Sequence, residues 1–205
     1  MADLPVLSDT PLSHPNCCLS LSSRLLETLK SLFRNESRGS GEAEPSSFSG
    51  LVLSVGCGSG LLENLLHTYL TQEEPKMTSM RVEGAEVATD ASTIMAYLPE
   101  DRANTVAGTW ALCRRAEDAT VLMFVYPRSV DLVRRYVDAF LGWDKVRTIV
   151  WLGPQADWEV FRPELEKQHW LLETTQVTIR EGAECGIGEY EMMAVLQVID
   201  HKSLI

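Results

Sequence analysis

Basic residues are scarce in this sequence, and their scarcity limits the partners that the protein can bind. Among 205 residues there are 18 lysines and arginines against 29 aspartates and glutamates, which gives a formal net charge of −11 at pH 7. An acidic surface repels phosphate backbones and anionic lipid headgroups. No basic run reverses this balance locally. We therefore expect neither nucleic acid nor a membrane as a partner.

Long apolar runs are absent as well. The longest, such as residues 121–126, are far shorter than the roughly 20 residues that cross a bilayer. Residues 1–5 lack the basic start and apolar stretch of a signal peptide. Residues 202–205 match no peroxisomal or lipidation signal. The sequence predicts a cytoplasmic protein.

Cysteine and histidine are few, with five and four residues. No two cysteines form the Cys-x-x-Cys pair that is typical of structural zinc sites. We therefore expect reduced thiols and no bound metal. No nucleophile, base and carboxylate occur in a pattern typical of covalent catalysis. The sequence assigns no catalytic residue, and it leaves the oligomeric state unknown.

What is present is a regular alternation of short apolar runs and helical patterns from residue 50 onward. Apolar runs bounded by turn residues predict strands at 51–55, 80–87, 105–108, 120–126 and 146–152. Apolar residues at helical spacing predict helices at 61–70, 92–98, 130–141 and 158–169. Repeated strand–helix units predict a mostly parallel sheet with helices on both faces.

The two ends of the chain depart from this alternation. Residues 171–180 and 190–199 are strand-like with no helix between them, and the three glycines of their connection predict an antiparallel hairpin. At the other end, residues 1–18 contain three prolines and predict a flexible arm or lid. A helix at 19–33 and a flexible loop at 34–49 follow. Residues 19–205 are expected to form one α/β domain with a seven-stranded sheet that contains one antiparallel strand.

A strand that runs directly into closely spaced glycines is the most specific feature. Residues 51–55 end at Gly56-x-Gly58-x-Gly60, and an apolar helix follows. Glycines allow the sharp turn and the close approach of a ligand, and the helix start offers unpaired N–H groups. A phosphate-binding loop would end in Gly-Lys-Ser/Thr, which is absent. A dinucleotide fingerprint requires a small residue where this chain has Leu61.

This glycine pattern resembles the first motif of class I S-adenosylmethionine-dependent methyltransferases. The resemblance implies a three-layer Rossmann-like methyltransferase fold and S-adenosylmethionine as cofactor. It also implies cofactor contacts from Gly56, Cys57, Gly58 and Gly60. The second strand supports it, because residues 82–86 are similar to the family's second motif, in which an acidic residue ends the strand.

Glu86 takes that acidic position, and the resemblance implies that it binds the ribose hydroxyls. A carboxylate accepts two hydrogen bonds from a vicinal diol. Glu83, three residues earlier, is expected to point elsewhere in the strand. At the end of the third strand the resemblance places Thr109 and Trp110 at the adenine. Trp110 either stacks on that ring or packs in the core.

The residues after the fourth strand lie where this family forms its acceptor site. Tyr126 and Arg128 are therefore candidates for substrate binding, although a Tyr-Pro sequence after a strand also forms a simple turn. With no insertion to form a cap, the arm of residues 1–18 is the natural lid. A pocket closed by that arm predicts a small-molecule acceptor.

One position departs from the family pattern. Two residues before Gly56 the family usually has an acidic residue that helps to hold the methionine end of the cofactor, and this chain has Ser54. Thr109 likewise stands where an acidic residue is common. Alternatives to a methyltransferase therefore stay open. One is a methyltransferase-like protein without methyl transfer, acting as a binding subunit or in another reaction. A nucleotide-binding oxidoreductase is a third, which Leu61 opposes.

Overall fold

Nine strands, five α-helices and two short 3₁₀ turns, at residues 100–102 and 114–117, make up the regular structure of the described residues. The computed structural model describes residues 2–35, 48–72, 78–88, 95–141, 145–171 and 175–198. The elements in chain order are β1 (Leu12–His14), β2 (Cys17–Leu21), α1 (Ser23–Asn35), β3 (Phe48–Val55), α2 (Leu61–Gln72), β4 (Thr78–Val87), β5 (Ala103–Val106), β6 (Val121–Val125), α3 (Val130–Phe140), β7 (Thr148–Pro154), α4 (Gln155–Leu171), β8 (Thr175–Glu181), α5 (Gly182–Cys185) and β9 (Glu191–Val198).

Seven of the strands form one sheet in the order β5-β4-β3-β6-β7-β9-β8. The first five strands in this order are parallel, and β9 is antiparallel to both β7 and β8. The predicted α/β fold, with seven strands of which one is antiparallel, is confirmed. The chain winds outward in opposite directions from β3 and β6. A crevice forms at the carboxyl ends of such strands, and ligands bind there in open α/β sheets.

Side chains from the two faces of the sheet build two cores. Val52 belongs to the cluster that α1 and α2 cover, whereas Leu53 belongs to the cluster that α3 and α4 cover. Each fully buried side chain of this kind contributes roughly 1.5–3 kcal/mol. Because successive residues of a strand point to opposite faces, Ser54 faces the same side as Val52. Its hydroxyl therefore lies under α2.

The C-terminal hairpin forms as predicted, but its connection is not free of helix. Residues 182–185 form the single-turn helix α5, which ends at Gly186 with a left-handed φ of 77°. A Cβ at Gly182 would overlap the carbonyl oxygen of Gly188. Glycine at 182 therefore lets the turn fold tightly against its own C-terminal end, and the expectation of a connection without helix is wrong.

The N-terminal region also differs from its sequence pattern. Residues 12–14 and 17–21 pair as the antiparallel hairpin β1–β2. The helix predicted from residue 19 begins at Ser23, because the Leu25 N–H donates to the Ser22 hydroxyl at 3.0 Å and caps the helix there. Most of the predicted loop 34–49 and the first three residues of the predicted helix 92–98 lie outside the described residues. No helix in the described part of the chain combines the length and the apolar character needed to cross a membrane.

Candidate functional site

The loop between β3 and α2 turns sharply at its three glycines. Gly56, Gly58 and Gly60 have φ angles of 76°, 57° and 76°, which favour glycine strongly over residues with a Cβ. The Gly56 N–H donates to the Ala85 carbonyl at 2.8 Å and so ties the loop to β4. A Cβ at Gly56 or Gly58 would meet nothing within 4 Å, whereas one at Gly60 would lie 2.5 Å from the Leu98 side chain. The first two glycines border open space, and the third allows close packing.

A cavity of about 260 Å³ lies against this loop. Its floor is the loop and the start of α2, its side includes Val125 at the end of β6, and its roof is the tip of the hairpin β1–β2. The lining residues are Pro15, Asn16, Cys17, Cys18, Gly56, Cys57, Gly58, Ser59, Leu61, Leu62, Glu63 and Val125. Residues 15–18 of the N-terminal region thus border the cavity, and the role of residues 1–18 as a lid stays a prediction.

Three hydrogen bonds fasten the hairpin tip to the loop. The Ser59 hydroxyl donates to the Asn16 carbonyl at 2.6 Å, and the Asn16 amide donates to the Tyr97 hydroxyl at 2.8 Å. The Tyr97 N–H in turn donates to the Ser59 carbonyl at 3.1 Å. The roof of the cavity is therefore joined to its floor.

Glu86 lies at the end of β4 and faces the glycine loop. Its Oε2 accepts the Gly58 N–H at 2.8 Å, and its Oε1 accepts the N–H of Val87 at 2.8 Å. The side chain is half-buried. The structure thus brings Glu86 and Gly58 together. Gly58 lines the cavity and Glu86 does not, and the predicted contact of Glu86 with a ribose stays a prediction.

Glu83 has a different environment three residues earlier. It is 2% exposed, and it accepts hydrogen bonds from Arg115, Arg81 and Asn104 at 2.7–3.0 Å. Burial alone would raise its pKa, but these bonds outweigh burial and lower the pKa to about 2. Glu83 joins β4 to β5 and to the turn at residues 114–117, and it takes no part in the cavity.

Glu63 is one residue near this loop that the sequence interpretation misses. It lies in the first turn of α2, is 1% exposed and lines the cavity. Its Oε1 accepts the Ser54 hydroxyl at 2.6 Å. Burial raises its pKa to about 7, and the Ser54 hydrogen bond opposes this shift. The available signal was a carboxylate within an otherwise leucine-rich run at residues 61–66.

The thiol of Cys57 is influenced by both carboxylates of the site, Glu63 and Glu86. Burial raises the pKa of its thiol well above the usual range, and the negative charges of Glu63 and Glu86 raise it further. The thiol is therefore neutral and a poor nucleophile. Within the described ranges, no three His, Cys, Asp or Glu side chains are grouped to hold a metal ion.

Thr109 and Trp110 lie on the surface beyond the end of β5. Both are exposed, and Trp110 is exposed to 67% with its ring against Gly108. The alternative of a tryptophan packed in the core is therefore wrong. Neither residue lines the cavity, and their predicted contact with adenine stays a prediction.

Tyr126 follows β6 in a left-handed conformation with φ 49°, which is strained for a residue other than glycine. Its hydroxyl donates to Glu191 Oε1 at 2.5 Å. Glu191, which the sequence interpretation also misses, is 6% exposed and accepts the N–H groups of Ser20 and Gly188 as well. Arg128 is exposed and does not line the cavity.

Comparison with known proteins gives a result at the level of the fold. No family model matches the chain, and no curated protein matches it. Among solved structures, the human methyltransferase 10 domain containing protein is 13% identical with a TM-score of 0.56, and the match covers 88% of this chain and 85% of that chain. The plantazolicin methyltransferase BpumL, solved with SAH, is 13% identical with a TM-score of 0.52, covering 86% and 85%.

A third similar structure is Sp1610 of Streptococcus pneumoniae, a candidate tRNA (m1A22) methyltransferase solved with S-adenosyl-L-methionine. It is 15% identical with a TM-score of 0.50, and the match covers 88% of this chain and 74% of that chain. At such low identity the likeness establishes a shared fold, which is that of class I S-adenosylmethionine-dependent methyltransferases.

Proposed function

We propose that this chain, which has the class I methyltransferase fold, binds S-adenosylmethionine at the loop 56–60 and transfers its methyl group to a small-molecule acceptor. The observation that carries the proposal is the arrangement of Gly56, Gly58 and Glu86. Two glycines face open space, and the carboxylate that ends the next strand reaches the same loop. We further propose a cytoplasmic location, since all five cysteines are free and Cys18 is exposed.

The residues of the site fit this cofactor. The open space at Gly56 and Gly58 allows a ligand to approach the backbone closely. Each oxygen of Glu86 accepts one N–H in the structure, so each has a lone pair left for a ribose hydroxyl. The carboxylates of Glu86 and Glu63 flank the loop and favour a ligand with cationic groups. S-adenosylmethionine has two, a sulfonium and an α-ammonium group.

The bound cofactor would supply an electrophilic methyl group on a sulfonium, and the chain would supply position and exclusion of water. The glycine loop and Glu86 would hold the nucleoside, and the hairpin tip at residues 15–18 borders the cavity. Burial, then the hydrogen bond and charge of Glu191, raise the pKa of the Tyr126 hydroxyl, so this group is no general base. We propose an acceptor that arrives already nucleophilic, as an amine, thiolate or acidic phenol.

The small-molecule acceptor is supported by the covered cavity and by the net charge of −11. The similar structures include methyltransferases named for tRNA and for plantazolicin, so the fold does not select one acceptor class. Tyr126 and Arg128 remain the proposed acceptor-side residues, because both follow β6 next to Val125, which lines the cavity.

A methyltransferase-like protein without methyl transfer is the second candidate, favoured by Ser54 in place of the usual carboxylate. Incubation of the purified protein with cell-extract fractions and methyl-labelled S-adenosylmethionine distinguishes the two candidate functions. Label in the small-molecule fraction supports methyl transfer, and label in the RNA or protein fraction replaces the proposed acceptor. Measurable cofactor affinity with no labelled fraction supports the second candidate.

Titration calorimetry with S-adenosylhomocysteine tests cofactor binding. Glu86→Gln should weaken binding about tenfold or more, because one anionic acceptor for the ribose diol becomes a neutral amide. Glu117→Gln is the matched control, since Glu117 is exposed in the turn at residues 114–117, and it should bind like the wild type. Absence of heat at millimolar cofactor for the wild type would contradict the proposal.

A further inference from the structure

Glu63 is a buried carboxylate without a cationic partner among the described residues. Its hydrogen-bond partners are the neutral hydroxyl of Ser54 and its own backbone N–H, and the interactions that shift its pKa include no lysine, arginine or histidine. A carboxylate that is 1% exposed loses its hydration on folding, and that loss is costly unless ionic or hydrogen-bonding partners replace the water. The structure by itself supplies only part of this replacement.

The surroundings of Glu63 hold it in place at the wall of the cavity. Its position in the first turn of α2 puts it at the positive end of the helix dipole. Ser54 lies at the end of β3, directly below, and its 2.6 Å hydrogen bond fixes one oxygen of the carboxylate. The residue therefore has a fixed position beside a space that a ligand can enter.

The chemistry of the missing partner follows from the other side of the loop. Glu86 and Glu63 flank the glycine loop, and Cys57 lies close enough to both for each charge to raise the pKa of its thiol. Glu86 accepts the Gly58 N–H at 2.8 Å, and Gly58 and Glu63 both line the cavity, so a nucleoside held at Glu86 would lie next to the space that Glu63 borders. In S-adenosylmethionine the 5′ substituent of the nucleoside ends in an amino acid with an α-ammonium group.

We propose that Glu63 binds the α-ammonium group of the cofactor and that Ser54 positions the carboxylate for this contact. This inference rests on the proposed function. The anionic group that the family pattern places at position 54 is then supplied by the neighbouring helix, nine residues later. A hydroxyl at 54 and a carboxylate at 63 act as one hydrogen-bonded unit.

Two ligands separate this role from general cofactor binding. S-adenosylhomocysteine carries the amino acid, and 5′-methylthioadenosine lacks it. We expect Glu63→Gln to weaken S-adenosylhomocysteine about tenfold or more and to leave 5′-methylthioadenosine within about twofold. Glu86→Gln should weaken both ligands, because both contain the ribose. Calorimetry on the three proteins gives the comparison.

The pH dependence of binding is a second readout. Ionised Glu63 binds the ammonium and protonated Glu63 does not, so wild-type affinity for S-adenosylhomocysteine should fall as the pH drops below about 7. Glu63→Gln should lack this dependence. A further substitution, Ser54→Asp in the Glu63→Gln background, should restore part of the affinity by returning a carboxylate to the same place.

The outcomes are distinct. If the wild type binds neither ligand, the proposed function fails and the role of Glu63 fails with it. If the wild type binds both ligands and Glu63→Gln weakens both equally or neither, cofactor binding stands and the assignment of Glu63 is overturned. Thermal unfolding of each variant shows whether it is folded. We expect Glu63→Gln to be folded and to lose affinity for S-adenosylhomocysteine but not for 5′-methylthioadenosine.

Discussion

Two glutamates show how much the surroundings of a residue decide its role. Glu63 and Glu83 are both almost fully buried, at 1% and 2% exposure. Burial raises the pKa of Glu63 to about 7, whereas two arginines and an asparagine overcome burial and lower the pKa of Glu83 to about 2. Glu83 has its partners within the fold. Glu63 has an incomplete set, which is characteristic of a site that completes itself with a ligand.

Glu63 should therefore reduce stability at neutral pH. Its folded-state pKa of about 7 lies above the ordinary 4.5, so the folded chain holds this proton more tightly than the unfolded chain. The stability linked to Glu63 is fully present below pH 4.5 and is lost as the pH rises to about 7. Glu63→Gln should be more stable than the wild type by about 3 kcal/mol above pH 7, at about 1.4 kcal/mol for each pKa unit.

Urea unfolding between pH 5 and pH 8 measures this difference, which should grow with pH. Glu83→Gln is the contrasting variant, because its removal leaves Arg81 and Arg115 without their shared partner and should lower stability at every pH in this range. Parallel pH profiles for the wild type and Glu63→Gln would show that Glu63 is not the titrating group.

At the scale of elements, the glycine loop combines a packing role and a ligand-binding role in neighbouring residues. Gly58→Ala keeps open space around the new Cβ and should cost only about 1–2 kcal/mol for its left-handed φ. The same methyl group enters the cofactor's space, so affinity for S-adenosylhomocysteine should fall more than about tenfold.

Gly60→Ala is the matched variant, for which we expect the larger effect on stability rather than on cofactor affinity. Its Cβ would lie 2.5 Å from the Leu98 side chain, so we expect a larger loss of stability than for Gly58→Ala. Urea unfolding and calorimetry on both variants test the pair. Wild-type affinity in Gly58→Ala would show that the cofactor does not approach the loop at this residue.

Elements that local patterns describe well were predictable from the sequence, and elements made by distant contacts were not. The strand, glycine loop and helix at residues 51–70 follow from periodicity and from glycine chemistry. The hairpin β1–β2 does not, because it is short, contains Pro15 at its turn, and depends on hydrogen bonds that Asn16 accepts from Ser59 and donates to Tyr97. The helix α5 has only four residues and gives no periodic signal.

The candidate site divides in the same way. Glu86 was predictable because it ends the second strand after the glycine loop. Glu63 was not, because its partner Ser54 lies on a different element and only the packing of α2 on β3 brings the two together. Glu191 was hidden for the same reason, since the residues that donate to it come from three separate parts of the chain.

At the scale of the whole molecule, Glu191 joins the N-terminal hairpin to the C-terminal strand. It accepts the N–H groups of Ser20 in β2 and Gly188 before β9, together with the Tyr126 hydroxyl after β6. A second contact lies nearby, where the Ser22 hydroxyl donates to the Gly186 carbonyl at 2.5 Å. The hairpin that covers the cavity is thus anchored at its far end to the last hairpin of the sheet.

Glu191→Gln should loosen this anchor without removing side-chain volume. An amide has one acceptor oxygen in place of two, so at least one of the three donors loses its partner. Hydrogen exchange of the amides at residues 17–21 should accelerate by about tenfold, corresponding to about 1.4 kcal/mol of local stability. Glu189→Gln, an exposed neighbour, should leave this exchange unchanged.

The location of the amides that exchange faster distinguishes two ways in which the hairpin β1–β2 can be anchored. If residues 17–21 exchange faster in Glu191→Gln while α2 keeps its protection, the carboxylate anchors the hairpin independently of the glycine loop. If protection at 17–21 is unchanged, the bonds between Asn16, Ser59 and Tyr97 hold the hairpin alone, and Glu191 serves only to keep Tyr126 in its left-handed conformation. Since Cys17 and Cys18 line the cavity, S-adenosylhomocysteine bound there should slow exchange at residues 17–21 in the wild type.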